Sequence, residues 1–242
     1  MVHFETVADE YDAARPSYPP GVYDALGTLT GLLVVDVGAG TGIATRQLLA
    51  RGAVVVAVDA GREVLSRATA HTPELMAAVA DGAVLPIRDG AVDVICSAQA
   101  WHWLEESRRS LEARRVLRDG GRWAGWWSHA RADGEVWFDS YWSVIERACP
   151  GTDRGQRNTD WGRTMADSGV FDVDDRVVVP WIRDIAVDDW LVDLASHSYV
   201  ARLTVADRAK VLAEVRTVVD EQFPDGAMAV RYETWLWVAH AT

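Results

Sequence analysis

The segment Val35-Asp36-Val37-Gly38-Ala39-Gly40-Thr41-Gly42 sets three glycines at alternate positions directly after an apolar run. Missing side chains let backbone approach a bound molecule closely, and a helix starting there offers unpaired N–H groups to it. Asp59 closes a second apolar run 19 residues beyond Gly40. A carboxylate at that place can accept both hydroxyls of a ribose, or it can simply cap the next helix. A dinucleotide fingerprint would want glycine at position 43, where this chain has Ile43. That spacing argues against a nicotinamide cofactor, although an NAD(P)-dependent oxidoreductase stays open as an alternative. A third feature is Trp101-His102-Trp103, behind another apolar run. An imidazole titrates near neutral pH and could take a proton from an acceptor as a general base. It could equally pack between two indoles. No cluster of His, Cys and carboxylates has ligand spacing, so no metal is expected.

These residues need elements to position them. Leu32 to Val37, Ala53 to Val58, Leu75 to Ala80, Ala91 to Ser97 and Arg122 to Ser128 read as strands. Their continuous apolar runs are those of parallel strands buried on both faces. Helical patterns fall between them, over 41–50, 61–70 and 107–117, and Asp119-Gly120-Gly121 is a turn signal. Strands alternating with helices imply an α/β sandwich of three layers. Residues 130–175 read as helices and loops, Val177-Val178-Val179 as a sixth strand, 204–222 as a helix and 232–240 as a last strand.

In that setting the motifs acquire a likeness. Residues 35–42 followed by Val58-Asp59-Ala60 resemble the first two motifs of class I S-adenosylmethionine-dependent methyltransferases. Ala80-Asp81-Gly82 with Leu85-Pro86 resembles the loop where that family's Asp meets the adenine amino group. Val92-Asp93-Val94-Ile95 is similar to its fourth strand and 116–121 to its turn into the fifth, with Asp119 in place of the usual proline. The likeness runs over about residues 5 to 130. Tyr11-Asp12 with Arg15-Pro16 and Tyr18-Pro19, and Ala98-Gln99-Ala100-Trp101-His102-Trp103, resemble the small-molecule branch that includes ubiquinone-biosynthesis and trans-aconitate methyltransferases. The Asn/Asp-Pro-Pro-Tyr/Phe signature of nucleic-acid-methylating relatives is absent, and Ser97-Ala98-Gln99-Ala100 stands there.

The resemblance implies a Rossmann-like, mostly parallel sheet of seven strands with an antiparallel last strand and a helical lid insertion. It implies one methyltransferase domain: cofactor-covering helices over 1–28, a cofactor-binding core over 29–129, an acceptor lid over 130–200, and a final helix and strand over 201–242. S-adenosylmethionine is the implied cofactor. Asp36, Gly38, Ala39, Gly40, Asp59, Ala60, Asp81, Gly82 and Ala98 would hold it, with Tyr11, Arg15 and Tyr18 folding over it. Those last three could instead form a surface segment shaped by prolines. Trp101, Trp103, Trp127, His129 and Tyr141 are the implied acceptor-facing residues, and His102 the catalytic candidate. Trp137, Tyr141 and Trp142 share helical spacing, which also suits a plain core.

Composition narrows the partners. Thirty-six acids against 24 bases give a formal charge of −12, which repels nucleic acid and anionic membranes. No apolar span long enough for a membrane helix and no signal peptide is visible, and Cys96 and Cys149 form no disulfide framework. A reduced, cytoplasmic protein is expected. All twelve tryptophans lie after residue 100, seven of them between Trp101 and Trp142. An aromatic-rich acceptor region favours a planar or apolar small molecule, while Arg131, Arg154, Arg157 and Arg163 keep an acidic one open. A non-catalytic member that binds cofactor and serves a partner is the other alternative. No feature of the sequence encodes an oligomeric state.

Overall fold

The computed structural model describes residues 17–242. Helices α1 (Pro20–Ala25), α2 (Ile43–Leu49), α3 (Arg62–His71) and α4 (Glu106–Val116) alternate with strands β1 (Leu33–Val37), β2 (Val54–Asp59), β3 (Met76–Val79), β4 (Val92–Ala98) and β5 (Leu117–Ala130). A 3₁₀ turn over Trp101–Trp103 leads into α4. Then come α5 (Val136–Ala148), α6 (Trp161–Ala166), β6 (Phe171–Val173), β7 (Val177–Ala186), α7 (Val187–Ser196), α8 (Ser198–Ala201), α9 (Val205–Gln222) and β8 (Ala227–Ala241). The described chain groups into two compact units, one of residues 17–128, 160–179 and 234–242, the other of 129–159 and 180–233.

The first unit carries the α/β sheet, whose strand order is β3-β2-β1-β4-β5-β8-β6. Pairs β1–β2, β2–β3, β1–β4 and β4–β5 are parallel, and β8 runs antiparallel to β6. Successive side chains of a strand point to opposite faces. Val35, Ile95, Trp123, Trp127 and Trp237 accordingly fill one layer of the core, while Val34, Val94, Ala124, Trp126 and Leu236 fill the other. These layers are closed to water, as the apolar runs of β1, β4 and β5 require, whereas β3, expected to be buried, lies at the sheet edge with Met76 and Val79 exposed. Strand order reverses between β1 and β4, so the carboxyl ends of these two strands open a crevice of the kind that receives ligands in α/β sheets.

Among the described residues the sheet has eight strands, one more than expected, and the difference lies at its late edge. The position beside β8 belongs to Phe171-Asp172-Val173, a strand too short to show a period. The run at 177–179 is only the start of the ten-residue β7, which also pairs with β8 but lies off the main path. Strand β8 begins at Ala227, five residues before the expected start, and its alternation of Met228, Val230 and Tyr232 inward is clear. The Asp119-Gly120-Gly121 turn lies inside β5 as a bulge. Val92 pairs Leu117 and Val94 pairs Arg122, so the residues between are looped out, with Gly120 at φ +71°. Asp93 anchors the bulge, holding Arg118 at 2.7 Å and accepting from the Leu33 N–H at 2.7 Å.

The second unit buries Trp137, Phe138, Trp142 and Ile145 of α5 against Trp190 and Leu194 of α7 and Val211, Val215 and Val219 of α9. Thr204 caps α9 by accepting from the Asp207 N–H at 3.1 Å. Among the described residues no helix is long and apolar enough to cross a membrane.

Candidate active site

Strand β1 delivers the glycine turn to the crevice, and three positive φ angles shape it: +74° at Gly38, +56° at Gly40 and +85° at Gly42. Glycine adopts these angles without the steric cost other residues would meet. The turn is anchored from below, since Gly38 and Ala39 both donate to the Val58 carbonyl, at 2.8 and 3.1 Å. The three glycines then differ in what surrounds them. A Cβ on Gly38 would fall 2.2 Å from that of Ala100, and one on Gly42 would fall 3.0 Å from that of Ala68. A Cβ on Gly40 would meet nothing within 4 Å. Gly38 and Gly42 serve packing; Gly40 faces open space.

Asp59 joins the turn to β2. One carboxylate oxygen accepts from the Gly40 N–H and the other from the Gly61 N–H, both at 2.8 Å. Burial raises its pKa, and these two bonds oppose the rise. Asp59 thus holds Gly61, the residue before α3, and presents a half-buried carboxylate beside Gly40. Ala60, next to it, is exposed. Asp36 lies deeper, closed to solvent, with one oxygen accepting from Thr45 Oγ at 2.6 Å. Its Oδ1 has no hydrogen-bond partner among the described residues. Desolvation pushes its pKa up to about 6, the Thr45 bond opposes this, and the Asp59 charge adds to it.

The loop after β3 brings Asp81 and Gly82 to the same end of the sheet. Asp81 is exposed and accepts from the Ala83 N–H at 2.8 Å. A side chain on Gly82 would strike Val37 and Leu104 at 2.5 and 2.7 Å, so this loop can close on the end of β1 only with glycine there. Tyr18 is tied to α2 through Gln47, which accepts from its N–H at 3.0 Å and donates to its carbonyl at 2.8 Å. Tyr11 and Arg15 lie outside the described residues.

Beyond Ala98 the chain makes an unusual turn. Gln99 has φ +55°, a positive value shared by no other non-glycine residue among those described. Such a conformation costs energy and tends to cluster at functional sites. It launches the Trp101–Trp103 turn and splits its side chains. Trp101 is 1% exposed and packs on Trp123 at 5.2 Å. Trp103 is 47% exposed. His102, between them, accepts at Nδ1 from the Trp127 indole N–H at 3.2 Å. Its ring centre lies 4.7 Å from that of Trp103, 6.4 Å from Trp127 and 6.0 Å from Trp161. Although the residue keeps exposed surface, these indoles desolvate its cation and the Arg109 guanidinium repels it. The two effects bring its pKa down to about 4.

Two members of this aromatic nest carry no motif. Trp161, at the start of α6, stacks on Trp127 at 4.8 Å and 12°. Arg109 of α4 is buried, donates to the Trp101 carbonyl at 3.1 Å, and lies 5.5 Å from the Trp161 ring. Spacing could not reveal Trp161, 34 residues beyond Trp127. His129 and Tyr141 belong to the second unit, where Tyr141 is buried and stacks on Phe138 at 5.8 Å. Among the described residues no group of three His, Cys or carboxylate side chains is placed to hold a metal.

Parallel strands whose order reverses between β1 and β4, with a glycine turn and a carboxylate at that point, form the arrangement that receives nucleotide-like ligands in α/β sheets. Comparison with known proteins narrows the class. A family model described as a methyltransferase domain matches residues 35–124. The chain is 33% identical over 217 residues to an uncharacterized methyltransferase of Mycobacterium tuberculosis, covering 89% of this chain and 85% of that one. A solved structure from Anaeromyxobacter dehalogenans, provisionally assigned as a type II methyltransferase, superposes with TM-score 0.71 at 24% identity, over 94% of this chain and 97% of the other. A geranyl diphosphate methyltransferase solved in complex with S-adenosylmethionine shares the fold at TM-score 0.53 and 17% identity, over 92% and 84% of the two chains. The chain belongs to the class I S-adenosylmethionine-dependent methyltransferases.

Proposed function

We propose that the protein transfers the methyl group of S-adenosylmethionine to a small planar or apolar acceptor in the cytoplasm. The observation that carries this reading is the pairing of Gly40 with Asp59: a backbone position open to a ligand, bonded to a carboxylate that keeps lone pairs for a diol. The open face of Gly40 would meet the cofactor's polar end, Asp59 and Ala60 its ribose, and Asp81, Gly82 and Ala98 its adenine. Tyr18 would border it, with Tyr11 and Arg15. Asp36 supplies buried negative charge beneath a cationic ligand, its unpartnered oxygen fitting that role. The cofactor supplies an electrophilic methyl group on a sulfonium. The protein's part is to hold the acceptor's attacking atom in line, at about 3 Å, and to keep water out. Trp101, Trp103 and Trp127 are the residues proposed to shape the acceptor's surroundings, and indole faces also favour a nearby cation. The net charge of −12 supports a small acceptor over a nucleic acid.

Calorimetric titration with S-adenosylmethionine and with NAD(P) tests the cofactor. Binding of S-adenosylmethionine alone is expected. Asp59→Ala should weaken it by about 1.5–3 kcal/mol, the range for hydrogen bonds to charged groups. Nicotinamide binding without S-adenosylmethionine binding, or unchanged affinity in a folded Asp59→Ala variant, would overturn the reading.

A further inference from the structure

The sequence position of His102 suits a general base, but its hydrogen bond makes that role chemically awkward. An indole N–H donates and never accepts, so the direction of the Trp127–His102 contact is settled by chemistry alone. A neutral imidazole has one donor and one acceptor nitrogen. With Nδ1 accepting from Trp127 at 3.2 Å, the proton of neutral His102 resides on Nε2. To act as a base at Nε2 the ring would need its other tautomer, which sets an N–H against the indole N–H. Protonation at both nitrogens creates the same clash.

Trp127 does not readily turn away. It is 4% exposed, stacked on Trp161 at 4.8 Å and edge-on to Trp237 at 5.7 Å. The low pKa of His102 acts in the same direction, keeping the ring neutral across the working range. Among the described residues Nε2 has no hydrogen-bond partner, and the residue keeps exposed surface. What the nest offers to a ligand is therefore one fixed N–H donor, with the buried Arg109 guanidinium 5.5 Å from the Trp161 ring of the same group.

We propose that His102 is a hydrogen-bond donor locked in its Nε2–H tautomer by Trp127, and that the acceptor's oxygen is already ionised when it binds. This rests on the methyltransferase reading and deepens it. The acceptor class is a carboxylate, or an enol or phenol acidic enough to bind as its anion. Such an acceptor needs no base: its lone pair forms the new bond to the methyl carbon, the carbon–sulfur pair stays on sulfur, and opposite charges cancel without release of a proton. His102 would grip the anionic oxygen, and Trp127 is a positioning residue that acts through His102.

The test is nitrogen NMR on the full chain carrying ¹⁵N-histidine, at neutral pH and without cofactor, with His102 assigned by its absence in His102→Gln. A bare Nδ1 and a protonated Nε2 are expected. In Trp127→Phe, which keeps an aromatic ring but has no donor, the other tautomer should appear. Benzoate, a planar carboxylate probe, should shift the His102 Nε2–H signal while benzyl alcohol leaves it in place. The affinity for benzoate should fall about tenfold or more in His102→Ala and stay within about threefold in His102→Gln, whose amide can still donate. A proton on Nδ1 in the wild type, or tautomers unmoved by Trp127→Phe, would overturn the locked donor. An absent benzoate response, or an equal one to benzyl alcohol, would overturn the ionised acceptor. Neither readout uses S-adenosylmethionine, so a failure of cofactor binding is a separate result that breaks only the methyltransferase reading.

Discussion

The carboxyl ends of β1 and β4 lie side by side in the same sheet, yet they are built from different materials. At β1 the proposed site consists of main chain and two carboxylates, arranged by glycines whose φ angles are +74°, +56° and +85°. At β4 they are side chains: an imidazole held by one indole, flanked by others, and backed by a buried guanidinium. Main-chain geometry suits a ligand part that never changes. Side chains can be exchanged without rebuilding the sheet, which suits a part that differs from one enzyme to the next. The difference predicts that substitutions at the β1 end alter cofactor binding, whereas those at the β4 end alter either packing or the acceptor, according to burial.

The largest effect should come from Trp101→Ala. Trp101 is almost fully buried against Trp123, and truncating a buried tryptophan typically costs about 3–5 kcal/mol. Chemical denaturation should register that loss. A cost below about 1 kcal/mol would mean that the first residue of the Trp101–Trp103 turn is not part of the core.

Gly40→Val comes next and addresses the other end. The added side chain meets no protein atom, but it must accept φ +56° and it fills the space in front of the turn. Strain of about 1–2 kcal/mol is expected in stability. Affinity for S-adenosylmethionine should fall by about 100-fold or more while circular dichroism stays native. Retained affinity would show that the open face of Gly40 is not where the cofactor lies.

The contrast between these two ends also explains which parts could be read before the structure. Residues 35–42 and 58–60 are each an unbroken segment, because main-chain sites are written locally: each glycine marks its own φ angle. The nest around His102 is assembled from residues 102, 127 and 161 on separate elements, and its contact between Trp127 and Trp161 leaves no spacing to detect. Arg109 was hidden for a related reason. On an amphipathic helix an arginine reads as solvated, and only tertiary packing against the Trp161 ring and the Trp101 carbonyl buries it. The same limit applies to the fold. Long apolar strands were legible, whereas Phe171–Val173 takes its identity from pairing with Ala239–Ala241 and not from any pattern of its own.

A prediction of intermediate size concerns Asp36. Its pKa is raised by burial from 3.8 to about 6, so the folded state prefers the protonated form. For a raised carboxyl, the stability contribution is complete below the unfolded value near 4 and is lost as pH climbs through 6. The shift corresponds to a loss of about 3 kcal/mol on passing from pH 4 to pH 8 in the protein without cofactor. Asp36→Asn removes the titration, so its stability relative to the wild type should rise over this interval. Urea titrations of both proteins at several pH values would show it. Parallel curves would mean that Asp36 titrates normally, and that the β1 end does not store charge beneath its ligand.

The smallest effect belongs to Trp103→Ala, two residues from the largest. Trp103 is 47% exposed, and truncating a surface side chain usually changes stability by less than about 0.5 kcal/mol. Its influence should be seen instead in His102, whose ring centre is 4.7 Å away. Two effects of the indole oppose each other there. Its bulk keeps water from the imidazolium and lowers the pKa; its ring face attracts a cation and raises it. Desolvation is the larger cause of the low value, and the 42° tilt between the rings is far from the face-on approach that a cation prefers. Removing the indole should therefore let the pKa climb from about 4 towards the ordinary 6.5, measured by proton NMR of the assigned His102 ring. The climb should be partial, because Trp127, Trp161 and Arg109 remain. A fall in pKa would reverse the ranking of the two effects and make Trp103 a cation-binding face. In that case the β4 end would suit an acceptor that arrives positively charged, against the donor role assigned to His102.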